Sequence, residues 1–277
     1  MFYIVTAYHA EAKPIIEYFG LKKVVKNSRF QVFAGEEVAL VESGPGVVAS
    51  ACATSFLLAE FEATDRDAVL NIGIAGAKNI NLKKGDAILC HKIIYHDTKR
   101  AFYPDMIARH DMKEGVLETF DFPVIKGNFP EDRIEGDAVD MEGAGFFEAA
   151  SFFLPPHKVH CIKVIHDYLE GVRVEPSFVS DLIRKNLPLI EGFMSSLESI
   201  DYLFSVGLSG KEKEIIDKLA GNLKLTFTMT HQLKNLILFY LSKHERLPGE
   251  LYDFLNVRVN SKSEGKIYFE RIKKLLC

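Results

Sequence analysis

Through the first two thirds of the chain, short apolar, β-branched runs alternate with segments of helical spacing, and this alternation restricts the fold more than any other feature. Residues 2–6, 30–34, 38–43, 68–74, 86–95 and 159–167 read as strands, and residues 10–19, 47–61, 142–153 and 176–196 as helices. Strands separated by helices build a layered α/β domain around a parallel or mixed sheet. In such sheets ligands sit beyond the carboxyl ends of the strands, where loops carry the chemistry.

From about residue 200 the pattern changes. Segments 211–221, 228–243, 249–254 and 266–275, entered through Ser209-Gly210, all have helical spacing with no clear strand. Charge shifts at the same place: residues 200–277 hold 13 Lys/Arg against 9 Asp/Glu, whereas residues 1–199 hold 21 against 29. Two domains are therefore expected, 1–198 as the α/β body and 199–277 as a small helical appendage packed on it. A partner-binding or lid module is the alternative reading of the appendage.

Composition narrows the class. No apolar run approaches the roughly 18 residues of a membrane span, and the start Met1-Phe2-Tyr3-Ile4-Val5 has neither the basic region nor the cleavage site of a signal peptide. The four cysteines, Cys52, Cys90, Cys161 and Cys277, are scattered, which fits reduced thiols in a cytoplasm. A net charge of −4 argues against a general nucleic-acid binder. His157 and His160 would point to opposite faces of a strand, and His231 and His244 are too far apart for a one-turn pair, so no metal site is expected.

Three acids stand at sheet-end positions. Glu11 opens the helix after the first strand, Glu142 opens another helix, and Asp167 ends the apolar strand 159–167. Singly, each reads as a cap or a surface charge. Together they suit cleavage of a glycosidic bond, which needs acid, base and hydroxyl-binding groups converging on one atom pair. Two glycine-rich turns complete the set. Ser43-Gly44-Pro45-Gly46 precedes a helix, with Ser43 available to cap its N–H groups. Asn71-Ile72-Gly73-Ile74-Ala75-Gly76-Ala77 ends a strand with small residues that let a ligand approach the backbone. Gly44 to Ala49 also fits a loose dinucleotide fingerprint, but the next strand runs into Ala75-Gly76 rather than an acid, and no cofactor is expected.

These pieces, with Gly85-Asp86, Tyr95-His96-Asp97, Val139-Asp140-Met141-Glu142-Gly143-Ala144 and Val164-Ile165-His166-Asp167, occur in an order that resembles the nucleoside phosphorylase superfamily. The nearest likeness is to its hydrolytic branch, the methylthioadenosine/S-adenosylhomocysteine nucleosidases and futalosine hydrolases. The resemblance covers about residues 1–198 and implies a three-layer α/β/α phosphorylase-like domain with a central mixed sheet. It implies cleavage of a purine nucleoside in which Glu142 holds the ribose hydroxyls, Met141 packs on the sugar, Asp167 protonates the base and Glu11 positions or deprotonates water. Tyr8, Ser43, Gly44, Ile74, Ala75, Gly76 and Phe102 are the further candidate substrate contacts, Phe102 or Tyr103 being offered across a homo-oligomer interface.

The resemblance also bears on the nucleophile. Hexameric phosphorylases of the superfamily hold phosphate with an arginine and a serine around the glycine turn, whereas this turn offers Asn71 and Ile74. An anion of about two charges needs cations or dense N–H donors, so water is favoured over phosphate. Futalosine hydrolases generally have asparagine where Asp167 stands, which favours an adenine-type leaving group. Two features depart from the nucleosidases. Only 44 residues separate Asp97 from Glu142, where relatives have a longer stretch with a strand and loop that read the base. The pocket is then wider or completed by another element, and a non-catalytic nucleoside-binding or partner-recruiting protein is the competing class. His166 replaces a usual serine and reads as a structural histidine, the alternative being a hydrogen bond to Asp167 or to the leaving base.

Overall fold

The computed structural model describes residues 1–24, 28–171, 175–205, 210–244, 246–259 and 261–276; Ser209 and Cys277 lie outside them. The chain divides into two compact units, Met1–Leu197 and Glu198–Cys277.

Ten strands form the sheet of the first unit: β1 (Phe2–Thr6), β2 (Lys22–Val24), β3 (Gln31–Ala34), β4 (Val38–Glu42), β5 (Ala68–Ala77), β6 (Ala87–Tyr95), β7 (Ala101–Phe102), β8 (Lys113–Thr119), β9 (Ala138–Asp140) and β10 (Val159–Asp167). β1 lies parallel between β4 and β5, and β5 is parallel to β10. β10 then pairs antiparallel with β6, β6 and β8 run parallel, β8 and β9 run parallel, and β9 returns antiparallel to β5. The five strands β5, β10, β6, β8 and β9 thus close into a ring without a free edge, and β1, β4, β3 and β2 extend from it.

The sheet is mixed, as expected, and its parallel centre is dry on both faces. Residues Val69, Leu70, Asn71 and Ile72 of β5 are at most 1% exposed. Strands of that kind need cover on each side. Helices α1 (His9–Phe19) and α4 (Pro176–Ser205) are tied by Arg184 to Glu17, Tyr18 to Glu191 and the Ser180 hydroxyl to the Ala10 carbonyl. Helices α2 (Val47–Glu60) and α3 (Gly143–Ala150) cross at Gly145, where a Cβ would lie 2.1 Å from the Val47 carbonyl oxygen. Tyr3, Val5, Leu57, Ile88, Phe146 and Cys161 belong to the large core built between these elements.

Four strands were not foreseen: β2, β7, β8 and β9. The glycines of 71–77 do not form a turn; β5 runs on through Ala77. α3 stops at Ala150, short of Phe153. His157 is not on a strand but in a 3-10 turn, Pro156–Lys158, where its carbonyl meets His160 Nε2 at 3.0 Å. Phe102 pairs in register with Ile93 and packs its buried ring on Phe147, centroids 5.5 Å apart. A ring so enclosed is core, not a contact offered to a second subunit.

The second unit is helical: α5 (Gly210–Asn222), α6 (Phe227–Lys243), a 3-10 helix Gly249–Asn256 and α7 (Lys262–Leu276). Thr226 caps α6 by accepting the Met229 N–H. Leu219, Leu223, Leu233, Ile237, Leu251, Phe269 and Ile272 form a separate core. Among the described residues no helix is long and apolar enough to cross a membrane.

Candidate active site

The carboxyl ends of β1, β9 and β10 converge beside residues 74–76 of β5 and enclose a cavity of about 470 Å³. That volume suits a small organic ligand. Tyr8, Ile74, Ala75, Gly76, Met141, Glu142 and Asp167 line it, together with Phe122, Pro123, Val124, Ile125, Asp140, His166 and Leu169. Ser43, Gly44 and Phe102 are not on its wall. The Ser43 hydroxyl lies 2.7 Å from the Gly44 carbonyl and 3.1 Å from that of Thr6 and donates its one hydrogen there rather than capping α2, and the Gly46 N–H at the start of α2 goes to Glu142.

Glu11 sits just behind the wall, 2% exposed. Its position on the first turn of α1 brings it under the end of β1, where Oε2 accepts the Ala7 and Tyr8 N–H groups at 2.9 and 3.0 Å. Oε1 accepts the Ile74 N–H at 2.9 Å. Burial pushes its proton affinity up, against the opposing pull of Lys163 and the three N–H groups. Gly73 provides the room: a Cβ there would lie 2.9 Å from Glu11 Oε1. Gly76 does the same for Asp167, since its Cβ would meet Asp167 Oδ1 at 2.9 Å and Leu169 Cδ2 at 2.7 Å. The two glycines of β5 therefore make space for carboxylates, a tighter constraint than approach of a ligand.

Glu142 precedes α3 and is 7% exposed. Oε1 accepts the Gly46 N–H at 3.0 Å. Burial pushes its carboxyl up to about 7, with Lys163 opposing, and Asp140 and Glu11 adding their like charges. Asp167 ends β10 and accepts the Leu169 and Glu170 N–H groups, each at 3.2 Å. Tyr8, half exposed at the rim, has its hydroxyl raised by burial and then by Glu142 and Glu11.

Sequence reasoning passed over Lys163. It is 1% exposed, with Nζ 2.8 Å from Asp140 Oδ2. Asp140 also accepts the Thr119 hydroxyl at 2.6 Å and the Gly143 N–H at 2.8 Å. Burial works against the ammonium, but Asp140 and then Glu142 outweigh it and hold Lys163 above its ordinary range. One buried cation thus balances a group of acids. A single lysine inside the apolar run 159–167 was the visible signal, because such a charge persists only with a partner.

The segment 98–138, read as cut short, supplies both a strand and part of the wall. β8 closes the ring, and Phe122-Pro123-Val124-Ile125 face the cavity. Glu118, wholly buried near the end of β8, anchors this region through His96 (2.6 Å), Lys99 (3.1 Å) and the Gly136 N–H (2.9 Å).

An α/β ring sheet with acids gathered at strand ends over a nucleoside-sized cavity defines a phosphorylase-type domain. The chain belongs to the phosphorylase superfamily, whose sequence profile matches residues 2–124. It is 38% identical over 160 residues to the 5′-methylthioadenosine/S-adenosylhomocysteine nucleosidase of Marinomonas sp. (strain MWYL1), covering 55% of this chain and 64% of that one. It is 30% identical over 177 residues to the enzyme of the same name from Aeromonas salmonicida (strain A449), covering 51% and 73%. The chain thus spans somewhat under two thirds of the first relative's length and about three quarters of the second's. The fold is shared with the S. pneumoniae nucleosidase solved with a transition-state inhibitor, at TM-score 0.60 and 24% identity, covering 71% of this chain and 99% of that one.

Proposed function

We propose that this chain hydrolyses the N-glycosidic bond of a purine nucleoside of the methylthioadenosine or S-adenosylhomocysteine kind. The observation that carries this reading is the gathering of Glu142 and Asp167 on one cavity wall with Glu11 directly behind it. Breaking the bond leaves positive charge on the sugar and negative charge on the base. Carboxylates beside the sugar stabilise the first, and a proton delivered to the base neutralises the second. In this scheme Glu142 binds the ribose hydroxyls with Met141 against the sugar, Asp167 protonates the base, and Glu11 takes the proton of the attacking water. Burial raises the proton affinity of Glu11, which suits a general base.

Water is favoured over phosphate by where the backbone donors point. The N–H groups of Ala7, Tyr8 and Ile74 are used by Glu11 and that of Gly46 by Glu142. No Lys or Arg is among the described residues lining the cavity. A phosphate dianion would meet two carboxylates on that wall and no cationic Lys or Arg side chain to offset its charge. Asp167 keeps the leaving group on the adenine side rather than the futalosine side.

Two coarser features belong to the same reading. One is a homo-oligomer, with Val48 and Phe152, 76% and 83% exposed, as side chains a second subunit would cover. Cys52, Cys90 and Cys161 are free thiols, which suits a reducing cytoplasm.

Steady-state release of free base from 5′-methylthioadenosine by three proteins tests the assignment. Wild type turns over, Glu142→Ala loses binding or turnover, and Asp167→Asn loses turnover while keeping the native circular dichroism. Full activity in both variants would show that the site is elsewhere.

A further inference from the structure

β10 carries a bulge at its end. Its register on β5 runs Val164 to Ile74 and Ile165 to Ala75, then Asp167 to Gly76, so His166 is the extra residue. In a regular strand consecutive side chains point to opposite faces, and a bulge is a means of re-aiming one of them. Here His166 and Asp167 both line the cavity.

The hydrogen bond of His166 to the backbone defines its tautomer. Nδ1 lies 3.0 Å from the Ala75 carbonyl oxygen. That oxygen can only accept, so Nδ1 carries a hydrogen in every protonation state that keeps the contact. Nε2 is then the atom free to gain or lose a proton, and it stands 3.5 Å from Asp167 Oδ1. Both side chains are mostly buried, 17% and 12% exposed, yet keep a path to solvent.

We propose that His166 is the proton partner of Asp167: the two hold one proton between Nε2 and Oδ1, and His166 recharges the aspartate after each turnover. This rests on the hydrolytic reading above. As the bond from sugar to base breaks, its electron pair leaves with the base and Asp167 delivers its proton to a ring nitrogen. Water places OH on the sugar carbon, and its other proton passes to Glu11 and on to solvent. Asp167, now a carboxylate, regains a proton that enters from solvent through Nε2.

Other charged groups near the pair are accounted for. Lys84 is bound to Glu170 at 2.7 Å, lies over the Tyr168 ring and also feels the charge of Asp167. Asp86, whose carbonyl accepts the Ile165 N–H, is paired with Lys113. Glu142, Asp140 and Tyr8 share the cavity wall, Glu11 lies behind it, and α4 presents Pro176 and Val179, which do not titrate. Among the described residues, Asp167 is the acid that stands within ion-pair reach of Nε2.

Two variants separate proton transfer from support. His166→Asn can keep the tie to the Ala75 carbonyl but has no atom at the Nε2 position. His166→Gln can reach Asp167 as a donor but cannot carry a proton back and forth. Expected for His166→Asn is native circular dichroism, kcat down about 10²-fold as for loss of an acid–base group, little change in KM, and an alkaline limb of kcat displaced to lower pH. Added imidazole restores part of the loss, and His166→Gln stays slow. A His166→Asn enzyme with full kcat, or with a loss equal at every pH and untouched by imidazole, would overturn the proposal while leaving wild-type hydrolysis intact. Absence of wild-type hydrolysis would overturn the hydrolytic reading itself. In that case the ¹⁵N shifts of His166 still decide the pairing: titration that is identical in wild type and Asp167→Asn removes it.

Discussion

Replacing Lys163 by methionine probes the charge balance under the cavity. Methionine has nearly the length and volume of the lysine stem, so little cavity is created. What is lost is the ammonium 2.8 Å from Asp140 Oδ2, which also offsets the field of Glu142 and Glu11. Removing one partner of a buried pair costs about 3–5 kcal/mol, because the other charge remains buried without it. The Thr119 hydroxyl and the Gly143 N–H still serve Asp140, which places the expected cost near the lower end, about 3 kcal/mol. Lys163 is held above its ordinary value of 10.5, so its own titration leaves its contribution in place below that value and removes it as pH rises through the higher folded one. The deficit should therefore appear in full in urea unfolding at neutral pH, followed by far-ultraviolet circular dichroism. It should shrink as the solution is acidified and Glu142 and Glu11 take up protons. Adding Asp140→Asn to Lys163→Met should recover much of the loss, giving a coupling energy of 1 kcal/mol or more on the order of other contacting charge pairs. A single variant as stable as wild type, or a double variant no better than the single, would refute the reasoning.

Glu142→Gln should separate stability from binding. A carboxyl raised from 4.5 to about 7 contributes fully below the lower value and loses that contribution as pH rises through the higher one. Above that pH the glutamine variant should be more stable than wild type, by at most about 3.5 kcal/mol at roughly 1.4 kcal/mol per unit, while nucleoside binding is lost; thermal melts across pH check this, and a variant destabilised at high pH contradicts it. Gly76→Ala puts a Cβ 2.9 Å from Asp167 Oδ1 and 2.7 Å from Leu169 Cδ2. Displacing the carboxylate by about 1 Å should lower kcat by about 10²-fold with a smaller effect on melting temperature, and unchanged steady-state kinetics would show that Asp167 does not need its present place.

How much of this could be read from the residues depends on burial. β1 and β5 stand out because they are buried on both faces and hence written in nearly unbroken apolar residues. β8 was hidden because Glu118 puts a charge at a buried position and Gly115 interrupts the run. The meaning of Glu118 lies in partners 19 and 22 residues away, Lys99 and His96, which no local pattern reveals. The same holds for the site. Glu11, Glu142 and Asp167 were visible as acids at element ends. That Lys163 balances them, that Gly73 and Gly76 make room for two of them, and that a bulge turns His166 into the cavity are facts of register between strands. Ser43 misled for a related reason: a serine before a helix suggests a cap, but its hydroxyl is turned to the carbonyls of Thr6 and Gly44.

The central claim, that Glu11, Glu142 and Asp167 break an N-glycosidic bond with water, is tested most directly by turnover without phosphate. The measurement is the rate of free base release from 5′-methylthioadenosine in phosphate-free buffer, repeated with inorganic phosphate added. Full release is expected in the first condition and no acceleration in the second. Release only with phosphate, and a phosphorylated sugar as co-product, would contradict it.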